Sequence, residues 1–319
     1  MNKQLQAAWH GTDNMLTLFP TRASARACDD RRSNAFQEQL TRFNRTRLAT
    51  AVPSGDFATT IAEEARMRVA EGEWIEAERR NIAAQAASVP TDADGFIAWF
   101  DDLLATGPGQ GDALFPWLAD HASLDELKYY LEQEVAGEAG FDDLVALTQV
   151  KLPPRAKMEL ARNYWDEMGR GNMAGMHGPM LDALANKLGL KPRIETTVVE
   201  ALALANTMVA FATSRRYVWH SVGALGVIEL TAPARSAAVA AGLRRLGYGD
   251  KDRRYFDLHA VLDVKHSVEW NKEALIPIVG EFPEVARYIA EGALMRLECG
   301  ARCFARYRSE LWDRRSVAA

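Results

Sequence analysis

The stretch Tyr255-Phe-Asp-Leu-His-Ala-Val-Leu-Asp-Val-Lys-His266 carries three side chains that can hold a metal: His259, Asp263 and His266. They stand four and three residues apart. On a helix of about 3.6 residues per turn, such positions fall within roughly 60° of one another and point at one place. Two imidazoles and a carboxylate on one face suit iron, manganese or zinc. The alternative at this point is that Asp263 pairs with a neighbouring histidine on a solvated face.

Further acids and imidazoles lie elsewhere in the chain. The segment Asn163-Tyr-Trp-Asp-Glu-Met-Gly-Arg-Gly-Asn-Met-Ala-Gly-Met-His177 starts as a helix and then meets Gly169, Gly171 and Gly175, with Gly178 just beyond. Each glycine costs a helix interior about 1 kcal/mol relative to alanine. The run predicts a helix interrupted around a site, and the break can bring Glu167 and His177 onto one centre. Glu229 is the single acid in the apolar helix expected over 217–230. Burying it unpaired costs several kcal/mol or leaves it protonated. A metal satisfies it, and so does a core salt bridge to Arg235 or Arg244. Glu134 and Glu138 lie one turn apart on an earlier helix, where a solvated pair is the default. His220 is expected to support the site rather than ligate; His10 reads as a surface residue and His121 as structural.

Glu138, then Glu167 with His177, then Glu229, then His259, Asp263 and His266 make three histidines and four carboxylates on helices, the inventory of a binuclear non-haem iron protein. The ferritin-like version needs two Glu-x-x-His motifs. This chain has none; its only acid-x-x-His is Asp263 to His266.

The elements that must position these residues are helical throughout, because no strand-like alternation of any length occurs. Apolar spacing predicts helices over 33–50 and 59–87, separated by Pro53 and Ser54. Capping residues open two more at Thr91 and Ser123. Helices are also expected over 113–119, 156–188 with the glycine break, 196–211, 235–246 and 283–312. Residues 1–90 read as a helical N-terminal extension packed on the main body or on a second subunit, and 91–319 as the domain that bears the site.

Of 319 residues, 48% are hydrophobic and 25% charged, as in an ordinary globular protein. The net charge of -5 and the lack of a long basic run argue against a nucleic-acid partner. No apolar run approaches a membrane span and no apolar segment follows the start, so no membrane association and no secretion are expected. Cys28, Cys299 and Cys303 make no disulfide framework, and Cys299 and Cys303 read as small buried side chains. A reducing cytoplasm fits this usage.

Three signatures then resemble the haem-oxygenase-like di-iron oxidases, also described as iron-containing redox enzymes. The first is Asp166-Glu-Met-Gly-Arg-Gly followed by His177. The second is Gly223-Ala-Leu-Gly-Val-Ile-Glu229. The third is Tyr255-Phe-Asp-Leu-His259-x3-Asp263-x2-His266. The resemblance covers roughly residues 110–275. It implies an all-α, haem-oxygenase-like bundle with Glu167, His177, Glu229, His259, Asp263 and His266 as ligands of two iron ions. The family's N-oxygenating members have one more glutamate on the earlier helix, in a setting like Glu138-Ala139; Glu134 is the rival for that position.

What the resemblance implies for function is a dioxygen-activating oxidase or oxygenase, with dioxygen as co-substrate. Its substrate would be a small amino-acid-derived molecule in specialised metabolism. N-oxygenation leads; desaturation, C–C fragmentation and oxidative decarboxylation are the alternatives. An electron donor or reductase and a homodimeric assembly are expected partners. Arg215, Arg216, Arg244 and Arg254 are cations that could hold a substrate carboxylate, against a reading as solvated surface. The same fold also serves hydrolysis and haem degradation; no cysteine nucleophile lies in the metal-bearing stretches for the first, and the second needs one axial histidine and leaves the ligand inventory unexplained. A non-catalytic metal-binding helical module is the remaining class.

Overall fold

In a computed structural model of the protein, which describes residues 32–137 and 140–318 with side chains to 312, the early helices start at side-chain caps. Ser33 accepts from the Phe36 amide ahead of α1 (Asn34–Leu48), Asp56 from Thr59 ahead of α2 (Phe57–Ala87), and Asp92 from Gly95 ahead of α3 (Ala93–Thr106). After α4 (Leu114–Asp120), Ser123 and Glu126 form a reciprocal capping box for α5 (Leu124–Gly137), the Ser123 amide donating to Glu126 Oε2 at 2.8 Å. Then come α6 (Phe141–Thr148) and α7 (Pro154–Glu167), two 3-10 turns (Gly169–Gly171 and Met173–Gly175), α8 (His177–Leu188) and α9 (Val199–Thr213). The chain continues through α10 (Val218–Arg245) and α11 (Asp250–Trp270), and closes with α12 (Ile276–Glu281) and α13 (Ala286–Ala318). No strand occurs among the described residues. The fold is all-α.

Two features depart from the expected elements. The stretches 217–230 and 235–246 are one helix, α10, with Pro233 inside it. Proline removes the N–H that would pair with the Glu229 carbonyl, yet packing against α11 and α13 holds the helix together. A π-helical segment, Asn271–Leu275, carries α11 onward into α12; neither it nor α6 is long or periodic enough to be read from sequence.

α1 and α2 pack on the main body, one of the two dispositions the sequence allowed. Buried Asn206 of α9 accepts from Asn44 Nδ2 at 2.9 Å and donates to the Gln37 carbonyl at 3.0 Å. From α2, Arg79 donates to Glu291 of α13 at 2.7 Å, and His220 Nε2 meets the same carboxylate at 2.8 Å. Burial pushes the Glu291 carboxyl up, but these two partners outweigh it and hold it at about 2. His220 is therefore spent on this core network, against the supporting role at the site expected for it. Cys299 and Cys303 are free and buried as expected; Cys28 and His10 lie outside the described residues.

Helix α10 is the central element, packed between α11 and α13. With its preceding turn it is the one described helix long and apolar enough to cross a membrane, but most of it is buried within the fold. It crosses α13 at a glycine pair. A β-carbon on Gly223 would lie 1.9 Å from the Ile289 carbonyl oxygen, and one on Gly292 would lie 1.9 Å from that of His220. The backbones touch there, and this contact fixes the depth of α10 six residues before Glu229.

Gly223→Ala must push the two helices apart and is expected to cost about 1–3 kcal/mol, lowering Tm by several degrees. Gly280→Ala, whose β-carbon meets nothing within 4 Å, is the control and should leave Tm unchanged or raise it. Thermal melts of both variants check this; equal Tm values would show that the crossing is not so tight.

Candidate metal centre

Four helices bring the six described candidates together as two triads. Glu167 ends α7, His177 begins α8, Glu229 lies in the middle of α10, and His259, Asp263 and His266 stand on α11. In the first triad the ligand atoms of Glu167, His177 and His259 lie within 4.8 Å of one another; in the second, those of Glu229, Asp263 and His266 do. The face of α11 expected to serve one place thus serves two. All six side chains are buried except His259, which is partly so. The solvated pairing of Asp263 is excluded by its burial.

The glycine run makes the first triad. Gly169, Arg170 and Gly171 all have left-handed backbone, with φ of 60°, 55° and 82°. A β-carbon at Gly169 would sit 2.3 Å from the Gly175 carbonyl carbon, so only glycine fits there. The turns fold the chain back so that His177 Nδ1 lies 2.7 Å from Glu167 Oε2. Arg254 donates to the Ala174 carbonyl at 3.3 Å and pins the loop to α11.

Outer partners fix which atom of each side chain faces the centre. His259 Nδ1 donates to the Tyr255 carbonyl at 2.7 Å, which leaves Nε2 as its lone-pair donor. His266 Nε2 donates to Asp166 Oδ2 at 3.1 Å, which leaves Nδ1 facing Glu229 Oε2 at 3.4 Å and Asp263 Oδ1 at 4.0 Å. Asn163 Nδ2 donates to Glu229 Oε1 at 2.5 Å. The His177 and His259 rings pack edge to face with centroids 4.6 Å apart. Asp166 and Asn163 went unassigned in the sequence reading. Asn163 is detectable there only as the residue one turn before Glu167, and Asp166 as its neighbour in the same motif.

Three buried atoms that converge on the centres, His177 Nδ1, His266 Nδ1 and Asp263 Oδ1, make no well-aligned hydrogen bond; the first two instead face the carboxylates of Glu167 at 2.7 Å and Glu229 at 3.4 Å. Leaving such atoms unpaired costs about 1–3 kcal/mol each, and a cation among them removes that cost. The donor set of imidazoles and carboxylates, with protein partners behind it, fits iron. Without a cation, protons take its place. Burial and then the Glu229 charge push Asp263 up to about 9, and burial raises Glu229 as well. Burial opposes a charged His266, but the hydrogen bond and charge of Glu229 outweigh it and raise His266 to about 9. Burial lowers His259 to about 4.

The remaining expectations divide. Glu138 lies outside the described residues. The carboxyl of its rival Glu134 is engaged by the hydroxyls of Tyr307 and Tyr130. Neither Arg235 nor Arg244 pairs with Glu229; Arg244 meets Asp257 at 3.5 Å. Arg215 donates to the Leu147 and Thr148 carbonyls, and Arg216 pairs with Glu76 at 2.8 Å. Arg254 lines a cavity on the outer side of the first triad with His177 and Asp166, but none of the four arginines expected to hold a carboxylate lines the cavity shared by both triads. That cavity, of about 150 Å³, is lined by Glu167, His259, Glu229 and Asp263, and also by Glu134, Arg235 and Arg296.

Comparisons with known proteins give the family and the fold. The sequence model of the family described as iron-containing redox enzyme matches residues 128–301, more than half of the chain, and the chain belongs to that family. The fold is that of solved haem-oxygenase-like structures. One is a CADD-like protein of unknown function from Nostoc punctiforme PCC 73102, 19% identical, with a TM-score of 0.54 over 69% of this chain and 98% of that one. Another is a domain of unknown function with a haem-oxygenase-like fold from Shewanella denitrificans OS217, 14% identical, with a TM-score of 0.50 over 70% of this chain and 91% of that one. No curated protein matches the chain.

The raised pKa values of Asp263 and His266 set the pH dependence of metal binding. Both groups hold protons at pH 7 in the metal-free site, and a cation must displace them. Affinity for Fe(II) should therefore rise with pH from 6 towards 9, and each binding event should release protons. His259, already neutral above pH 5, adds nothing to this slope. Anaerobic titration calorimetry at pH 7 in buffers of different ionisation enthalpy measures the release; a value of zero would contradict the protonation assigned to the second triad.

Proposed function

From its membership of this family, we propose that the chain is a non-haem di-iron oxidase or oxygenase that uses dioxygen to oxidise a small amino-acid-derived substrate, N-oxygenation being the leading reaction. One observation carries the reading. Six imidazole and carboxylate side chains form two buried triads, and members of both line one cavity. A storage or purely structural metal site has no use for such a cavity.

Bound there, two ferrous ions would supply the electrons that activate dioxygen, and an external donor would restore them. The protein's own part is positional. Tyr255 and Asp166 hold His259 and His266 in single tautomers, and Asn163 occupies one Glu229 oxygen so that the other stays free. The cavity keeps the reacting end of the substrate away from bulk water. Glu138 is the proposed seventh ligand, since Glu134 is taken up by two tyrosines. The reason is charge: Glu167, Glu229 and Asp263 leave two ferrous ions with one uncompensated positive charge, and a fourth carboxylate removes it.

Purified protein loaded anaerobically should bind about two Fe(II) per chain and take up dioxygen in a single turnover with a transient optical band. His259→Ala and His266→Ala should each abolish that uptake with helical circular dichroism unchanged. Iron bound without dioxygen uptake would leave a metal-binding module, and a haem Soret band on purification would replace the di-iron reading altogether.

Glu138→Ala should lower iron content towards one per chain and alter the decay of the optical band, while Glu134→Ala should leave the stoichiometry intact. Metal analysis and stopped-flow spectroscopy read both. The reverse pattern shifts the seventh ligand by one helical turn.

A further inference from the structure

We infer that the cavity binds a small monocarboxylate of amino-acid size, with its carboxylate held between Arg235 and Arg296. This names the substrate class of the site proposed above and rests on that reading.

Two cations line a cavity whose other charged walls are the triads and Glu134. Arg296 Nε is buried and has no hydrogen-bond partner. The Arg235 guanidinium lies over the Phe304 ring, 5.7 Å from its centroid. Among the described residues no acid comes within salt-bridge distance of either arginine. Burial and then the charge of Arg296 pull Arg235 down to about 10, so the two cations face each other at a cost. Glu134 does not cancel them, because one carboxylate cannot balance two guanidinium groups. Apart from the triads, the cavity wall keeps one excess positive charge.

Arg235 and Arg296 are half-buried and meet no acid within salt-bridge distance among the described residues, and a cation so placed costs stability that folding alone does not explain. One anionic ligand explains this pair. A guanidinium offers planar, paired donors that match a carboxylate, and two of them can grip both its oxygens. The charge favours a monoanion: a phosphate ester brings up to two negative charges into a cavity that already holds Glu134, Glu167, Glu229 and Asp263. The size sets the body of the ligand. A cavity of about 150 Å³ accommodates a molecule on the scale of benzene, so a body of roughly six to ten heavy atoms fits within it and a long-chain acid leaves most of its chain outside. None of this could be read from sequence, where Arg235 serves as a rival partner for Glu229 and Arg296 is one polar position on a long helix.

Ligand-observed saturation-transfer NMR on the full chain, both metal-free and Fe(II)-loaded under nitrogen, tests the inference. The probes are L-leucine, L-phenylalanine, L-lysine and octanoate, each beside its primary amide, with phenyl phosphate and hexadecanoate as further arms. At least one small acid should bind about tenfold or more tightly than its amide. Phenyl phosphate and hexadecanoate should be weaker than that acid. Arg296→Gln and Arg235→Gln should each erase the preference for acid over amide, leave iron uptake unchanged, and keep or raise Tm. A merely structural arginine would instead lower Tm and leave the preference in place.

Equal binding of every acid and its amide, or an undiminished preference in the double variant, overturns the inference. So does tighter binding of phenyl phosphate or hexadecanoate. The acid–amide comparison is also read on metal-free protein. A failure of iron loading alone therefore counts against the di-iron reading and not against the carboxylate site.

Discussion

Everything in this protein is arranged around one electrostatic problem: three carboxylates and three imidazoles share an interior where unpaired charge is expensive. Among the described residues no arginine or lysine pairs with the triads. Three of the six ligands instead have one atom engaged by a neutral or outer-lying partner and one atom left facing the centre. The Tyr255 carbonyl, Asp166 and Asn163 do this for His259, His266 and Glu229. The arrangement leaves buried donors and acceptors unsatisfied until a cation arrives, which is the physical signature of a site built for one.

Two backbone devices make the convergence possible. At Gly169–Gly175 the chain abandons the helix for two tight turns, so that the last residue of one helix and the first of the next meet at one point. At Gly223 and Gly292 the central helix sinks against the last one until the backbones touch, which sets the depth of Glu229. The long helix α11 then spans both centres. Seven residues at about 1.5 Å each separate His259 from His266 by roughly 10 Å along the axis. The two histidines face different triads across that distance.

Much of this was legible in the sequence, for identifiable reasons. The spacing of His259, Asp263 and His266, the glycine run between Glu167 and His177, and the lone acid Glu229 are all local patterns, and local patterns survive without a fold. The same is true of the helix starts at Ser33 and Ser123, and of the one read at Thr91, which the structure caps one residue later at Asp92. What failed depended on tertiary packing. Angular spacing on α11 does not say that its face is divided between two triads. His220 was expected to support the site, yet Glu291, 71 residues later in the chain, claims it. Arg215, Arg216, Arg244 and Arg254 were plausible carboxylate partners by charge alone. The guanidinium groups in the cavity belong to Arg235 and Arg296, and only the crossing of α10 with α13 puts them together.

The central claim is that these residues form two separate metal sites. Anomalous diffraction at the iron absorption edge, from crystals grown or soaked anaerobically with Fe(II), tests it most directly. Two peaks are predicted: one among Glu167, His177 and His259, the other among Glu229, Asp263 and His266. A single peak shared by all six residues, or iron bound elsewhere with both triads empty, would contradict it.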